Sequence, residues 1–431
     1  MTALLLTACS EESATVGQTE DIAAAENVIV LGVKEVVAPE TRAEQQKGSI
    51  DFTKLTETGF GVYGYENDGY DPSSSEPTLF GGANKKVTFV SGGTAPTTSL
   101  DHPGSWEYDG TKTWAAGKKY TFFAYAPYMA EGGDAPGITS VSVGNGDPTI
   151  GYTVAENPAS SVDLLWGVRT DTSEESGLPW IDVQKGQTAS AVLFTFYHAL
   201  CAVGFHAQVI VDQKNDQNNL DDISKLGTLG KADGCKVTLK SITITPTTSL
   251  YKSGVLNLNN TTAHQPLWPE KTGTIDKLVL NSASTIDAKL LDPNPSDFSD
   301  ANPSNTGVMS NTSVPGITES ANTQTIIKDD NLFMLIPQEK QNYTISIEYF
   351  LTYKTETGYH RESKIGTATI ENLELVAGVK YYINLVLGLT TFKVTVDAND
   401  WTEKTQNTTV AIETGTSASQ SLAKQSTLVF E

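Results

Sequence analysis

The chain has 431 residues, 38% of them apolar, and its 51 acidic against 29 basic side chains give a formal net charge of -22. So acidic a balance, with a pI near 4.6, excludes nucleic acid as a partner, because phosphate contacts need a basic footprint. No run of 18 apolar residues occurs, so no transmembrane helix is expected, and the length allows two or three domains of common size.

The chain opens with Leu4, Leu5, Leu6, Thr7, Ala8 and Cys9. A short apolar run ending in small residues and a cysteine resembles a bacterial lipobox. There the apolar run occupies the membrane, the small residues admit the peptidase, and the thiol takes the lipid. No basic residue precedes Leu4, so the true start of the signal peptide is expected upstream of Met1. Acylation of Cys9 would anchor the protein to a membrane that it does not span. The acidic pair Glu11 and Glu12 resembles the surface-export signal of lipoproteins in some Gram-negative anaerobes. Residues 10–26 are polar, acidic and small, the composition of a tether.

Beyond the tether the chain reads as nearly all β. Thr, Ser, Val, Ile and Tyr dominate, and Gly, Pro, Asn and Asp interrupt at short intervals. Strands are expected over residues 28–37, 60–65, 86–90, 120–125, 138–143 and 164–168. The apolar stretch 193–211 reads as one bent strand, two strands, or the passage into a second domain. Residues 292–325 are rich in Asn, Ser, Thr and Pro and read as a long surface loop. The clearest strand runs from Tyr343 to Tyr353, where every odd position is apolar or aromatic and only Phe350 breaks the polar even positions. Further strands are expected at 359–370, 379–387 and 391–396. Helices should be few and short.

Several motifs carry no chemistry on inspection. Gly59, Gly61 and Gly64 match the spacing of a dinucleotide fingerprint, but they alternate with Phe60, Val62 and Tyr63 in a strand and lead into a turn rather than a helix. His198 and His206, eight apart, would share a face of an unbroken strand, yet no Asp, Glu or Cys stands at a ligand-like spacing from them. His102, His264 and His360 read as isolated in polar turns. Cys201 and Cys235 read as buried thiols, with a disulfide as the alternative in an oxidising compartment. No nucleophile elbow and no carboxylate in an apolar setting is found, so no enzymatic activity, cofactor or metal is expected.

The order of the remaining motifs resembles the fimbrillins, pilus-building lipoproteins of Gram-negative anaerobes. The lipobox is followed by Thr41, Arg42 and Ala43, and then by the strand from Gly59 to Tyr65. Next come Tyr120 to Pro127, Asp163 to Gly167 and Phe194 to Leu200, the last resembling the family's F-x-H-A segment. The stretches 332–338 and 379–385 and then Trp401 complete the likeness, which spans almost the whole chain.

The resemblance implies an all-β fold of two tandem transthyretin-like β-sandwich domains, with short helices and a C-terminal strand-forming tail. The divisions expected are a truncated lipoprotein signal (1–9), a tether (10–26), an N-terminal sandwich (27–184), a C-terminal sandwich (185–403) and a candidate donor-strand tail (404–431). It also implies strand exchange. An Arg-specific protease cutting between Arg42 and Ala43 would release the strand at 28–37 together with the lipid. The groove so opened would be a template for strand addition. Val410, Ile412, Leu428 and Phe430 lie in two β-prone segments of the tail and are the candidate donor residues. The alternative for the tail is fraying, or edge strands of the chain's own sandwich.

The expected partners are therefore other pilin subunits, an Arg-specific protease during maturation, and the outer membrane through the lipid. A host protein or glycan is a candidate ligand. The expected location is the cell surface, first as an outer-membrane lipoprotein and then in the fimbrium. The rival expectation is a monomeric surface lipoprotein that binds glycan, with Trp106, Trp114, Trp180 and Trp268 stacking on sugar rings; it requires those aromatics to line one exposed face.

Overall fold

The computed structural model describes residues 27–37, 50–91, 104–133, 135–170, 176–187, 191–209, 236–281, 308–309, 324–325, 332–355, 358–387, 392–400 and 405–410. In chain order the strands are β1 (Leu31–Val36), β2 (Phe60–Asn67), β3 (Lys85–Ser91), β4 (Gly104–Glu107), β5 (Lys119–Ala126), β6 (Ile138–Val141), β7 (Thr149–Thr153), β8 (Leu165–Arg169), β9 (Trp180–Val183), β10 (Val192–His198), β11 (Cys201–Val209) and β12 (Lys236–Pro246). They continue as β13 (Ser253–Asn257), β14 (Leu267–Thr272), β15 (Leu278–Asn281), β16 (Val308–Met309), β17 (Gln324–Thr325), β18 (Phe333–Leu335), β19 (Gln338–Thr355), β20 (Gly358–Leu375), β21 (Val379–Leu387), β22 (Phe392–Asp400) and β23 (Thr405–Val410). The fold is all-β, as the alternation predicted. His360 falls within β20, not in a turn, because the hairpin bends earlier, near Gly358.

Among the described residues one α-helix occurs, Phe52–Thr58. Asp51 caps it by accepting from the Lys54 amide at 2.6 Å. Gly59, at φ 70°, ends it and returns its N–H to the Leu55 carbonyl. Among the described residues no helix is long and apolar enough to cross a membrane.

The first sheet runs β1-β10-β8-β5-β2-β3-β4, with β9 also on β5. Its central strands are buried on both faces. In β5, Tyr120, Phe122, Ala124 and Ala126 join one core, while Phe123 and Tyr125 join the other. In β2, Phe60 and Val62 face the first core, and Tyr63 and Tyr65 face the second. The glycines between them make room for rings. A Cβ on Gly61 would lie 2.2 Å from the Tyr125 ring, and one on Gly64 would lie 2.4 Å from the Phe80 ring. The glycine spacing that imitates a nucleotide fingerprint is thus a packing device.

The sheet curls around its first core. The chain leading into β1 reaches the segment after β4, where Val28 bridges Thr113. Phe60 lies at the centre of that core, its ring 5.2 Å from Trp106 and 5.3 Å from Phe196. The second core is covered by a four-stranded sheet, β14-β13-β7-β6. Tyr63 and Tyr65 donate to the carbonyls of Ser142 and Gly146 beside it.

That small sheet draws strands from both halves of the chain. β7 pairs antiparallel with β13, from Ser253 opposite Thr153 to Asn257 opposite Thr149. The hydroxyls of Thr153 and Ser253 meet at 2.9 Å, and Asn257 and Asn259 both donate to Asp147.

The apolar run 193–211 divides at Ala199 and Leu200, so β10 belongs to the first sheet and β11 to another. This other sheet, β17-β11-β21-β22-β23 with β18 on β11, faces β15-β12-β19-β20 with β16 on β12. Phe205, Ile383, Leu385 and Val394 share one core with Ile242, Ile345, Ile347 and Ile370. Phe392 packs against Gly366, where a Cβ would come within 2.7 Å of its ring. This core is continuous with the one under Tyr63 and Phe123.

Two outcomes follow from this packing. Scanning calorimetry should show one cooperative transition, because β7–β13 and the shared core couple the halves; two well-separated transitions would refute that coupling. Burial raises the pKa values of Tyr63, Tyr65 and Tyr152 well above the usual phenol range and pushes that of Tyr125 up to about 12. These groups stay protonated in the folded chain where the unfolded chain releases protons, above about pH 10. Their contribution is complete below that pH and is lost as pH rises. The urea midpoint should therefore fall between pH 8 and pH 10.5; an unchanged midpoint contradicts the assignment.

Candidate functional site

β1 is the strand on which a strand-exchange site would turn. A strict alternation from Leu31 and Val33 would turn Glu35 into the core. Instead the register with β10 shifts between Val33 and Glu35. Lys34 and Glu35 are exposed, and Val36 returns to the interior. Ile29, Leu31, Val33 and Val36 are all buried against the first core. At about 1.5–3 kcal/mol per buried aliphatic side chain, these four contribute about 6–12 kcal/mol of burial, comparable to the whole net stability of a domain.

Two sets of backbone bonds hold the strand. On one side β1 runs parallel to β10, with Leu31 opposite Val192 and Val36 opposite Phe196. Val192 N–H donates to Val30 and Val37 N–H to Phe196, each at 2.8 Å. On the other side, Ile29 N–H donates to Lys112 and Trp114 N–H donates to Asn27. Tyr108 adds a hydroxyl bond to the Ile29 carbonyl at 2.6 Å, and Lys185 reaches Asn27. Residues 27–36 thus close the curl, with β1 paired to β10 and the residues just before it bonded to residues 112–114.

The flanks of residues 38–49 are tied independently. Val37, before that segment, bonds Phe196 near the end of β10. Ile50, after it, donates its N–H to Asp163 Oδ2 at 3.2 Å. The same oxygen lies 2.5 Å from Nδ1 of His198, the last residue of β10, and both side chains are excluded from solvent. Asp163 Oδ1 accepts from the Leu164 amide. Val37 and Ile50, on the two sides of residues 38–49, are therefore both bonded near one end of β10, and Asp163 fixes Ile50.

The tail begins as β23, the last strand of its sheet. It pairs antiparallel with β22, and Val410 stands opposite Val394. Cys9, Arg42, Ala43, Ile412, Leu428 and Phe430 lie outside the described residues, as do Cys235 and His102. Cys201 is buried, donates to the Leu335 carbonyl, and has its thiol pushed up to about 12 by burial, so it behaves as a small apolar group.

The two histidines do not converge. His198 ends β10 and meets an aspartate 35 residues away, which spacing along the chain did not reveal. His206 lies in β11, bonded to Asn384 and stacked on Tyr382 with centroids 4.5 Å apart. No group of three metal-ligating side chains is found among the described residues. Nor do the tryptophans line one face. Trp106 and Trp180 are buried, and Trp180 stacks under the Arg169 guanidinium. Trp114 and Trp268 are half-buried on separate elements.

Asp163 and the clamp formed by Tyr108 and residues 112–114 are the site residues that sequence reasoning missed. Asp163 stood inside a quoted motif, but no local pattern pairs it with His198 or Ile50.

A model of the fimbrillin-like family matches residues 41–401. Among solved structures, a fimbrial protein from Bacteroides vulgatus shares the fold at TM-score 0.61 and 19% identity, covering 87% of this chain and 99% of that one. A fimbrial assembly protein from Parabacteroides distasonis aligns over 89% of this chain and 98% of its own, at TM-score 0.34 and 11% identity. No curated protein matches the chain.

The Asp163 junction gives a direct test. Asp163→Ala strands the Ile50 amide and removes the carboxylate facing His198. The expected cost is about 3–5 kcal/mol in urea unfolding. A loss below about 1 kcal/mol would show that the junction does not hold the chain.

Proposed function

The chain belongs to the fimbrillin-like family, and we propose that it is a stalk or accessory subunit of a cell-surface pilus, exported as a lipoprotein acylated at Cys9, cut after Arg42 and polymerised by donor-strand exchange. It is a structural protein supporting adhesion, not an enzyme. Its partners are other pilin subunits, with an Arg-specific protease and the outer membrane serving its maturation.

The observation that carries this reading is the placement of β1. Its apolar side chains complete a core, yet only residues 38–49 join it to the rest of the chain, and Arg42 lies among them. A cut there would sever β1 while Ile50 remains pinned by Asp163. Loss of β1 would leave the β10 edge unpaired and the positions of Ile29, Leu31, Val33 and Val36 open to water. Such a slot takes an added strand. A donor from a second subunit makes a head-to-tail contact that does not close, and so a filament.

The test uses the full-length precursor, unlipidated, and an Arg-specific protease. The expected result is a new N-terminus at Ala43 and a ladder of detergent-stable multimers, with Arg42→Ala giving neither. Clean cleavage at Ala43 with a strictly monomeric product would refute polymerisation by this route.

A further inference from the structure

A cut between Arg42 and Ala43 breaks one covalent link and touches none of the contacts that residues 27–37 make. Resting on the reading above, we infer that the cut leader is retained as a non-covalent strand, and that Tyr108, bonded to the Ile29 carbonyl, is the latch that sets when it leaves. The retained state precedes any exchange and is the same whichever strand follows.

The two halves of the leader are held by different means. Downstream, β1 is held by pairing with β10 and by burial of Leu31, Val33 and Val36. That pairing is interrupted where the register shifts between Val33 and Glu35, and Lys34 and Glu35 are exposed there. Upstream, three neighbouring residues are bonded from several directions. Ile29 is fully buried, donates its N–H to Lys112 at 2.8 Å and accepts from the Tyr108 hydroxyl at 2.6 Å. Val28 bridges Thr113, and Asn27 accepts from the Trp114 N–H and from Lys185. Tyr108 is itself held in place, its ring 5.0 Å from that of Phe80. Burial raises its pKa, so the hydroxyl keeps the proton that it donates.

The end freed by the cut lies downstream of Val37. Opening therefore starts at Val37 and Val36, passes the irregularity in β1, and meets the Tyr108 clamp last. There the buried Ile29 and the bonds around it must be given up together. The consequence reaches the membrane, because Cys9 and the tether 10–26 belong to the leader. A cut subunit stays attached to its lipid anchor through residues 27–37 and departs only when they are displaced. Cutting then makes a subunit competent for exchange without shedding it.

The test uses the unlipidated full-length precursor and its Tyr108→Phe variant, cut with the Arg-specific protease at a concentration too low for multimers. Gel filtration with mass spectrometry of the fractions follows the peptide that ends at Arg42. The expected result is co-elution of that peptide with the body that begins at Ala43. Tyr108→Phe should be cut at the wild-type rate and release the peptide about fivefold faster, from loss of one hydrogen bond. Hydrogen exchange in the cut wild type should replace the Val37 amide before the Ile29 amide. A peptide already lost at the first separation would overturn retention and leave the pilus reading intact. An unchanged release rate in Tyr108→Phe, or Ile29 exchanging no later than Val37, would overturn the latch. No cut at Ala43 would overturn the preceding reading and this one with it.

Discussion

The fold depends on a sheet whose central strands have no solvent face. Tyr120, Phe122 and Ala124 of β5 point one way, Phe123 and Tyr125 the other, and all are buried. Such a sheet needs a cover on each side, and the chain solves the two sides differently. On one the sheet covers itself by curling, and residues 27–36 close the curl. On the other the cover is a second sheet, and the first half of the chain supplies only two of its four strands. Both the closing strand and the borrowed strands β13 and β14 are therefore consequences of the same doubly apolar centre.

The two covers differ in how they are attached. β13 and β14 lie inside the chain with structure on either side. β1 lies at the end of the described fold, and the link to its core is a single polar segment. Burial of comparable quality thus sits at positions of unequal permanence. Asp163 makes the difference sharper, since it secures Ile50 without touching β1. A closing strand held by pairing and burial, beside an Ile50 amide held by a buried carboxylate, is an arrangement in which one can be exchanged without disturbing the other.

Much of this was legible in the order of residues. The all-β character and the strand 379–387 follow from periodicity and punctuation, whereas the run 193–211 left one bent strand, two strands and a passage between domains all open. What could not be read was partnership at long range. Nothing near Asp163 announces His198 or Ile50, and nothing in Thr149–Thr153 announces Ser253–Asn257. The bulge in β1 was equally hidden, since alternation from Leu31 would have turned Glu35 inward; only the register against β10 resolves it. The glycines of β2 were legible as part of a strand, but their purpose lay in Tyr125 and Phe80, which the sequence places far from them.

The shared four-stranded sheet bears on how such a molecule carries load. In the proposed filament, tension enters a subunit at the slot beside β10 and leaves through its tail beyond β22. Joined by the covalent chain alone, the two halves could yield one after the other and lengthen the fibre under pull. The bonds of Thr153 to Ser253 and of Asp147 to Asn257 and Asn259 span that division, so the force must shear them before the halves separate. Each subunit then behaves as one stiff link, and extension of the fibre falls on the exchanged strands between links.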